Sequence, residues 1–207
     1  MHLVKLLNLE QNTETWKSWR RSKIGASDCA AIMGKNQYQT PYDLWRQKTF
    51  AEENFYNEDM RRGHDLEEEA REWLKERFGR SWVPICAESD TRPWQVASLD
   101  GFSTGDDGIL CAEIKAPRLK KIKEIKKNGI PEYWLWQMQH QMSVMDCKEI
   151  YFLAYSKEIQ HFEKVPRNTH MIEALNRHEE EFYYTYMCGF TPPPFLEREA
   201  NFIRLYA

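Results

Sequence analysis

Two stretches in the middle of the chain set acids and a base at strand spacing. Trp94 to Asp100 alternates in the manner of a β-strand, Gly101 to Gly108 is turn-rich, and Ile109 to Lys115 reads as a second strand ended by Pro117, so the three form a predicted hairpin. Side chains alternate along a strand, which puts Ser98 and Asp100 on one face and Glu113 and Lys115 on one face, with Leu110, Ala112 and Ile114 left to be buried. Paired strands would bring Asp100, Glu113 and Lys115 together. Two carboxylates supply hard oxygen ligands for Mg²⁺, which binds through one or two protein carboxylates plus substrate phosphate. A neighbouring lysine can stabilise negative charge or help deprotonate water. Such a D…E-x-K arrangement suits metal-dependent phosphodiester cleavage. Glu113 and Lys115 would equally suit an ordinary charge pair of a sheet. A second triplet, Glu124-Ile125-Lys126, has no strand around it, so the pattern alone does not decide.

Other polar residues point toward the same cleft. Pro131 opens a predicted helix to about Met145, on which Gln137, His140 and Gln141 form one stripe opposite Leu135, Met138, Met142 and Met145. Gln137 is thereby placed to look toward the acids. Leu66, Ala70, Trp73, Leu74 and Phe78 predict an amphipathic helix over Asp65 to Phe78, ended by Gly79. Glu67 sits roughly 60° from the axis of that apolar stripe, nearer than Glu68, Glu69 or Glu72; a boundary salt bridge to Arg71 is the alternative. Nearer the N-terminus, Arg20 precedes the small-residue turn Gly25-Ala26-Ser27-Asp28, with a helix expected from about Asp28 to Met33, capped by Ser27 and closed by Gly34. Free helix N–H groups, the Ser27 hydroxyl and the Arg20 guanidinium would make an anion site, although many helices begin with serine and bind nothing.

The remaining elements set the frame. Thr40-Pro41-Tyr42-Asp43 opens a helix with something close to a capping box, Ile150 to Tyr155 is an apolar strand, and Thr169 to Met187 a final long helix. Helices, hairpin, helix, strand, helix is a mixed α/β order. With 207 residues, no repeats and only Thr191-Pro192-Pro193-Pro194 as a stiff stop, a single domain over 1–207 is expected. A hydrophobic content of 42% supports a real core and excludes general disorder. No apolar run reaches membrane-spanning length and the first residues lack signal-peptide character, so the sequence reads as soluble and cytosolic. Five scattered cysteines without a C-x-x-C pair argue against disulfides and structural zinc. A net charge of −3 gives no global pull on nucleic acid, but seven bases against one acid between Lys115 and Lys127, and ten acids against four bases between Glu52 and Glu76, predict an electrically polarised surface. The aromatic run Phe182-Tyr183-Tyr184-x-Tyr186 is expected to serve the core or a subunit contact.

An ordered set of motifs resembles the lambda exonuclease or YqaJ-type phage recombinase family of the PD-(D/E)xK nuclease superfamily. It comprises Trp16-x-x-x-Arg20, Ile24-Gly25-Ala26-Ser27-Asp28, Arg62-Gly63-x-x-x-Glu67, Ser98-Leu99-Asp100-Gly101, Glu113-Ile114-Lys115-Ala116-Pro117 and Trp136-Gln137-Met138-Gln139. The superfamily's proline before the catalytic aspartate is replaced by Leu99, as is ordinary in this family. The resemblance implies a central mixed β-sheet flanked by helices, the restriction-endonuclease-like nuclease core. It implies that Asp100, Glu113 and the Ile114 carbonyl bind Mg²⁺ (Mn²⁺ as a substitute), that Glu67 approaches a second ion, that Lys115 serves the attacking water and that Gln137 orients lysine or substrate. Arg20, Ser27 and Ser98 would form a pocket for a 5′-terminal phosphate, and Met60 would be the wedge that splits the end base pair. The implied activity is processive 5′-to-3′ digestion of linear double-stranded DNA to mononucleotides, leaving a 3′ tail for recombination. The implied assembly is a homotrimeric ring working with a single-strand annealing protein in the cytosol of a bacterial host. A structure-selective endonuclease or resolvase on the same core, or a DNA-binding module without catalysis, are the alternatives.

Overall fold

The computed structural model describes residues 4–51, 58–105 and 108–194, with the side chains of 58–60 outside the description. In chain order the elements are β1 (Lys5–Leu7), α1 (Glu14–Arg21), β2 (Ile24–Gly25), α2 (Cys29–Ile32), α3 (Pro41–Phe50), α4 (Glu58–Phe78), β3 (Val83–Glu88), β4 (Gln95–Gly105) and β5 (Gly108–Lys115). They continue as α5 (Leu119–Asn128), α6 (Glu132–Met145), β6 (Glu149–Tyr155), β7 (Gln160–Pro166), α7 (Thr169–Glu181) and a π-helical extension over Phe182–Cys188. The sheet runs β1-β3-β4-β5-β6-β7, with the short β2 pairing parallel to β4. β4 and β5 are antiparallel, as the hairpin pattern predicts, whereas β5 and β6 are parallel because α5 and α6 intervene. The sheet is therefore mixed and flanked by helices, as expected.

Both sheet faces are covered, and the alternation along β5 and β6 shows how. Ala112, Ile114, Tyr151 and Leu153 pack with Ala70 and Leu74 of α4, while Cys111, Phe152 and Ala154 join Met138, Met142 and Ile122 of α6 and α5. Opposite β4 the register slips between Val83 and Ile85, so that Leu99 and Phe102, three residues apart, reach one cluster. Gly101 sits where a Cβ would come within 3.0 Å of the Ala112 Cβ and 3.2 Å of the Trp82 ring. α6 is buried almost all round, between the sheet on one side and α2 and α7 on the other.

Several boundaries differ from the sequence expectation. The strand continues through Gly101–Gly105, which the turn-rich composition had hidden, and the helix ending at Phe78 begins at Glu58. α2 has only four residues and its cap position is Asp28; Ser27 turns to Arg20 instead. The capping box of α3 forms in full, Thr40 Oγ1 accepting from Asp43 N (3.1 Å) and Asp43 from Thr40 N (3.0 Å), a type of cap whose loss costs about 1 kcal/mol. Glu124-Ile125-Lys126 lies within α5, so that triplet is not part of a strand. The final helix reaches its expected length but loosens into the π-helical turn at Phe182; Phe182 is buried beside Ile24, Leu44 and Trp45, and Tyr183 stacks on Trp94. Among the described residues no helix is long and apolar enough to cross a membrane.

Candidate active site

The pairing of β4 with β5 begins at Gly101 and Ala112, so the two strands part between Asp100 and Gly101 on one side and between Ala112 and Glu113 on the other. Asp100, Glu113 and Lys115 stand at this fork. The Asp100 Oδ2 accepts from the Ile114 N–H (2.8 Å), taking a donor that has no partner on β4. Glu113 is 1% exposed and its carboxylate is densely held. Oε1 accepts from Lys115 Nζ and from Gln137 Nε2 (2.6 Å), while Oε2 accepts from Gln141 Nε2. Glu67, on α4, is tied to His64 (3.4 Å) and loosely to Arg71 (3.9 Å), and Arg71 donates to the Asp100 carbonyl (3.3 Å). The sequence residues Asp100, Glu113, Ile114, Lys115 and Gln137 are thus brought together, with Glu67 close enough to act on Asp100 and Lys115 electrostatically.

The electrostatics are those of an acid cluster only partly compensated. Burial, followed by repulsion from Glu113, pushes the Asp100 carboxyl well above its usual pKa, and Lys115 offsets only part of this. Burial also raises Glu67 against the pull of His64 and Arg71. For Lys115, burial disfavours the ammonium, but Glu113 and Asp100 outweigh it and lift the pKa above the ordinary lysine value. The resting lysine is therefore a cation rather than a free base. Crowded hard oxygens that repel one another fit a divalent cation, whose charge would relieve the repulsion. Asp100, Glu113 and the Ile114 carbonyl are the groups that could hold it, with Glu67 near enough to act on Asp100.

A second cluster lies on the same strand. Trp16 Nε1 donates to Ser98 Oγ (2.9 Å), and the Arg20 guanidinium lies over the Trp16 ring (5.0 Å), one turn along α1. Arg20 Nη2 donates to Ser27 Oγ (2.8 Å) and faces Asp28 Oδ1 at 3.5 Å. Trp16 thus links Ser98 to Arg20, and Arg20 in turn holds Ser27, so the three residues expected to bind a terminal phosphate lie in one chain of contacts. The helix-dipole part of the expectation fails: α2 is a single turn, and the Gly25 N–H is already taken by Asp28 Oδ2 (2.8 Å). Gly25 leaves room for the guanidinium: a Cβ there would lie 2.2 Å from Arg20 Nη2, so a larger residue would push Arg20 from this position. Ser98 and Asp100 are two residues apart on β4, about 7 Å of strand.

Three features escaped the sequence reading. Gln141 shared a stripe with Gln137 but received no role. Lys48, buried on α3, bonds Asp28. His140 leaves its expected stripe-mates: Nδ1 meets Glu179 (2.6 Å) and Nε2 meets the Val96 carbonyl (2.9 Å), locking α6 to α7 and β4. Cys29 lies near this pair, with the three ligand atoms within 4.8 Å of one another. Each is hydrogen-bonded already, Cys29 to the Ala26 carbonyl and Glu179 also to Gln95, which reads as a structural lock. The Met60 side chain lies outside the described residues.

Comparisons with known proteins converge on one group. The chain is 26% identical over 196 residues to YqaJ, an uncharacterized protein of Bacillus subtilis (strain 168), covering 90% of this chain and 60% of that one. It thus spans about three fifths of that curated relative's length. Among solved structures, the alkaline exonuclease LHK-Exo of Laribacter hongkongensis superposes with a TM-score of 0.72 at 24% identity, over 86% of this chain and 94% of that one. A phage-related exonuclease of Haemophilus somnus 129PT follows at 0.57 and 15%, over 82% and 96%. These likenesses establish a shared fold. Residues 15–148, well over half the chain and including both clusters, match the YqaJ-like viral recombinase domain, and the chain belongs to that family.

Proposed function

We propose that the protein is a Mg²⁺-dependent exonuclease that removes mononucleotides from the 5′-ended strand of linear duplex DNA and leaves a 3′ tail for strand-annealing recombination. The observation that carries this reading is the fork, where Asp100, Glu113 and Lys115 meet two residues along β4 from Ser98, which Trp16 links to Arg20 and Ser27. The names of the structural neighbours agree with it: two are exonucleases, and LHK-Exo was solved in complex with dAMP, a nucleotide of the product class.

Asp100 and Glu113 would hold Mg²⁺, with Glu67 placed toward a second ion, and bound metal would supply positive charge for polarising the scissile phosphate and activating water. Gln137 and Gln141 fix Glu113 so that its carboxylate keeps one orientation. Lys115, held as an ammonium, places a positive charge where the phosphoryl oxygens gain negative charge. Arg20 with Ser27 and Ser98 grips the 5′-terminal phosphate left by each cut, drawing the strand forward. The exposed lysines of α5, Lys120, Lys123, Lys126 and Lys127, follow the DNA backbone. The same reading places three copies in a ring through which the strand is threaded, with Met60 at the duplex end, and an annealing protein coating the emerging tail.

The deciding experiment uses linear 5′-phosphorylated duplex labelled separately at each end. Label at the 5′ end should appear as mononucleotide only when Mg²⁺ is present, while label at the 3′ end of the same strand is released last. Rapid digestion of covalently closed circles would replace this reading with an endonuclease, and binding without any Mg²⁺-stimulated release would replace it with a DNA-binding module.

A further inference from the structure

Within the phosphate pocket the expected cation, Arg20, sits beside an acid. Asp28 is 3.5 Å from Arg20 Nη2, and an aspartate free to close on that guanidinium would occupy the donors a phosphate needs. It does not close. Its Oδ2 is engaged by Lys48 Nζ (2.8 Å) and by the Gly25 N–H (2.8 Å), which turns the carboxylate toward α3 and leaves Arg20 only the long contact through Oδ1. The other N–H groups of Arg20 make no hydrogen bond within the described residues.

Lys48 is built for this position. Its side chain is 7% exposed, and its three N–H groups meet three acceptors: Asp28 Oδ2, the Lys23 carbonyl (2.8 Å) and the Arg20 carbonyl (3.2 Å). It is carried by α3, whose start is fixed by the Thr40 and Asp43 capping box and whose side is pinned by Trp45 Nε1 donating to the Tyr186 carbonyl (2.9 Å). Burial lowers the Lys48 pKa, so the charge is kept at a cost that an apolar strut such as methionine would avoid. Counting formal charges, Arg20 and Lys48 against Asp28 leave one positive charge facing the pocket; Arg20 against Asp28 alone would leave none.

Resting on the terminal-phosphate reading above, we propose that Lys48 is a positioning residue for end selection: by holding Asp28 away, it keeps Arg20 available for the 5′-phosphate. The charge count orders the variants. Lys48→Met leaves a neutral pocket, Asp28→Asn leaves two positive charges, and Lys48→Met with Asp28→Asn returns to one.

The test measures kcat/KM on linear duplex with 5′-phosphate and with 5′-hydroxyl ends for each variant, alongside its melting temperature. Lys48→Met should lower the phosphate-to-hydroxyl ratio by about tenfold, the scale of one charge-assisted hydrogen bond. Asp28→Asn should keep the ratio at or above that of the unaltered protein, and the double variant should recover it even where it melts lower. A simple strut predicts no recovery. An unchanged ratio in Lys48→Met, or a double variant no better than Lys48→Met, overturns the proposal. If Arg20→Ala loses the preference while Lys48→Met keeps it, the pocket stands and the role of Lys48 falls. An unaltered protein that releases nucleotides with no preference for 5′-phosphate overturns pocket and proposal together and leaves the nuclease reading in place.

Discussion

The fork and the cluster of Arg20, Ser27 and Ser98 are opposite solutions to burying charge beside one strand, β4. At the fork, three carboxylates, Asp100, Glu113 and Glu67, face one lysine and one arginine, and the pKa of Asp100 is driven upward. Around Ser98, two cations face one carboxylate, and Asp28 is held below its usual pKa because Lys48 and Arg20 outweigh its burial. One region is short of positive charge and suits a cation; the other keeps a surplus and suits an anion. Neighbouring sites of opposite sign are what a phosphodiester substrate with a metal activator calls for.

Substitutions at the fork should give the largest effects. Lys115→Ala should cut Mg²⁺-stimulated nucleotide release by about 10²- to 10³-fold while DNA still binds, as seen by electrophoretic mobility shift; near-normal turnover would remove Lys115 from the site. Gln141→Met takes one of the clamps from Glu113 and should weaken Mg²⁺ activation by about 10- to 100-fold, read as a rightward shift in the metal titration with little change at saturation. In the pocket, Arg20→Ala should lower the preference for 5′-phosphorylated ends by about tenfold. Equal slowing on both kinds of end would mean the terminal phosphate binds elsewhere. The smallest effect is on stability. Asp100→Asn removes a buried repulsive charge and should raise the melting temperature in the presence of a chelator by about 2–4 °C, while abolishing the stabilisation that Mg²⁺ gives the unaltered protein. A lower melting temperature would show that Asp100 is compensated already.

How much of this could be seen in the chain depends on how local the signal is. Asp100, Glu113 and Lys115 were legible because strand alternation and a two-residue spacing place them by local geometry. Glu124-Ile125-Lys126 shows the limit, since the same triplet lies in a helix once Ile122 and Ile125 pack inward. Lys48 was hidden because a single lysine near a helix end carries no pattern. The available signal was its place beside Leu44 and Trp45, at i+4 and i+3 on the buried stripe of α3. β1, β3 and β7 were missed for a related reason: β3 contains Pro84 and β7 is an edge strand rich in charge, and both are held by ladder partners rather than by their own composition. His140 takes other neighbours than its stripe-mates because α6 is buried almost all round, and position on a stripe says little about partners on such a helix.

Ser98 and Asp100 are joined by one intervening residue of a hydrogen-bonded strand, so on the proposed function the interval between the gripping serine and the cutting acid would be a covalent constant. On the proposed function β4 acts as a stride gauge: drift in the surrounding helices would alter speed or grip, but the size of each bite would change only if the strand itself gained or lost a residue.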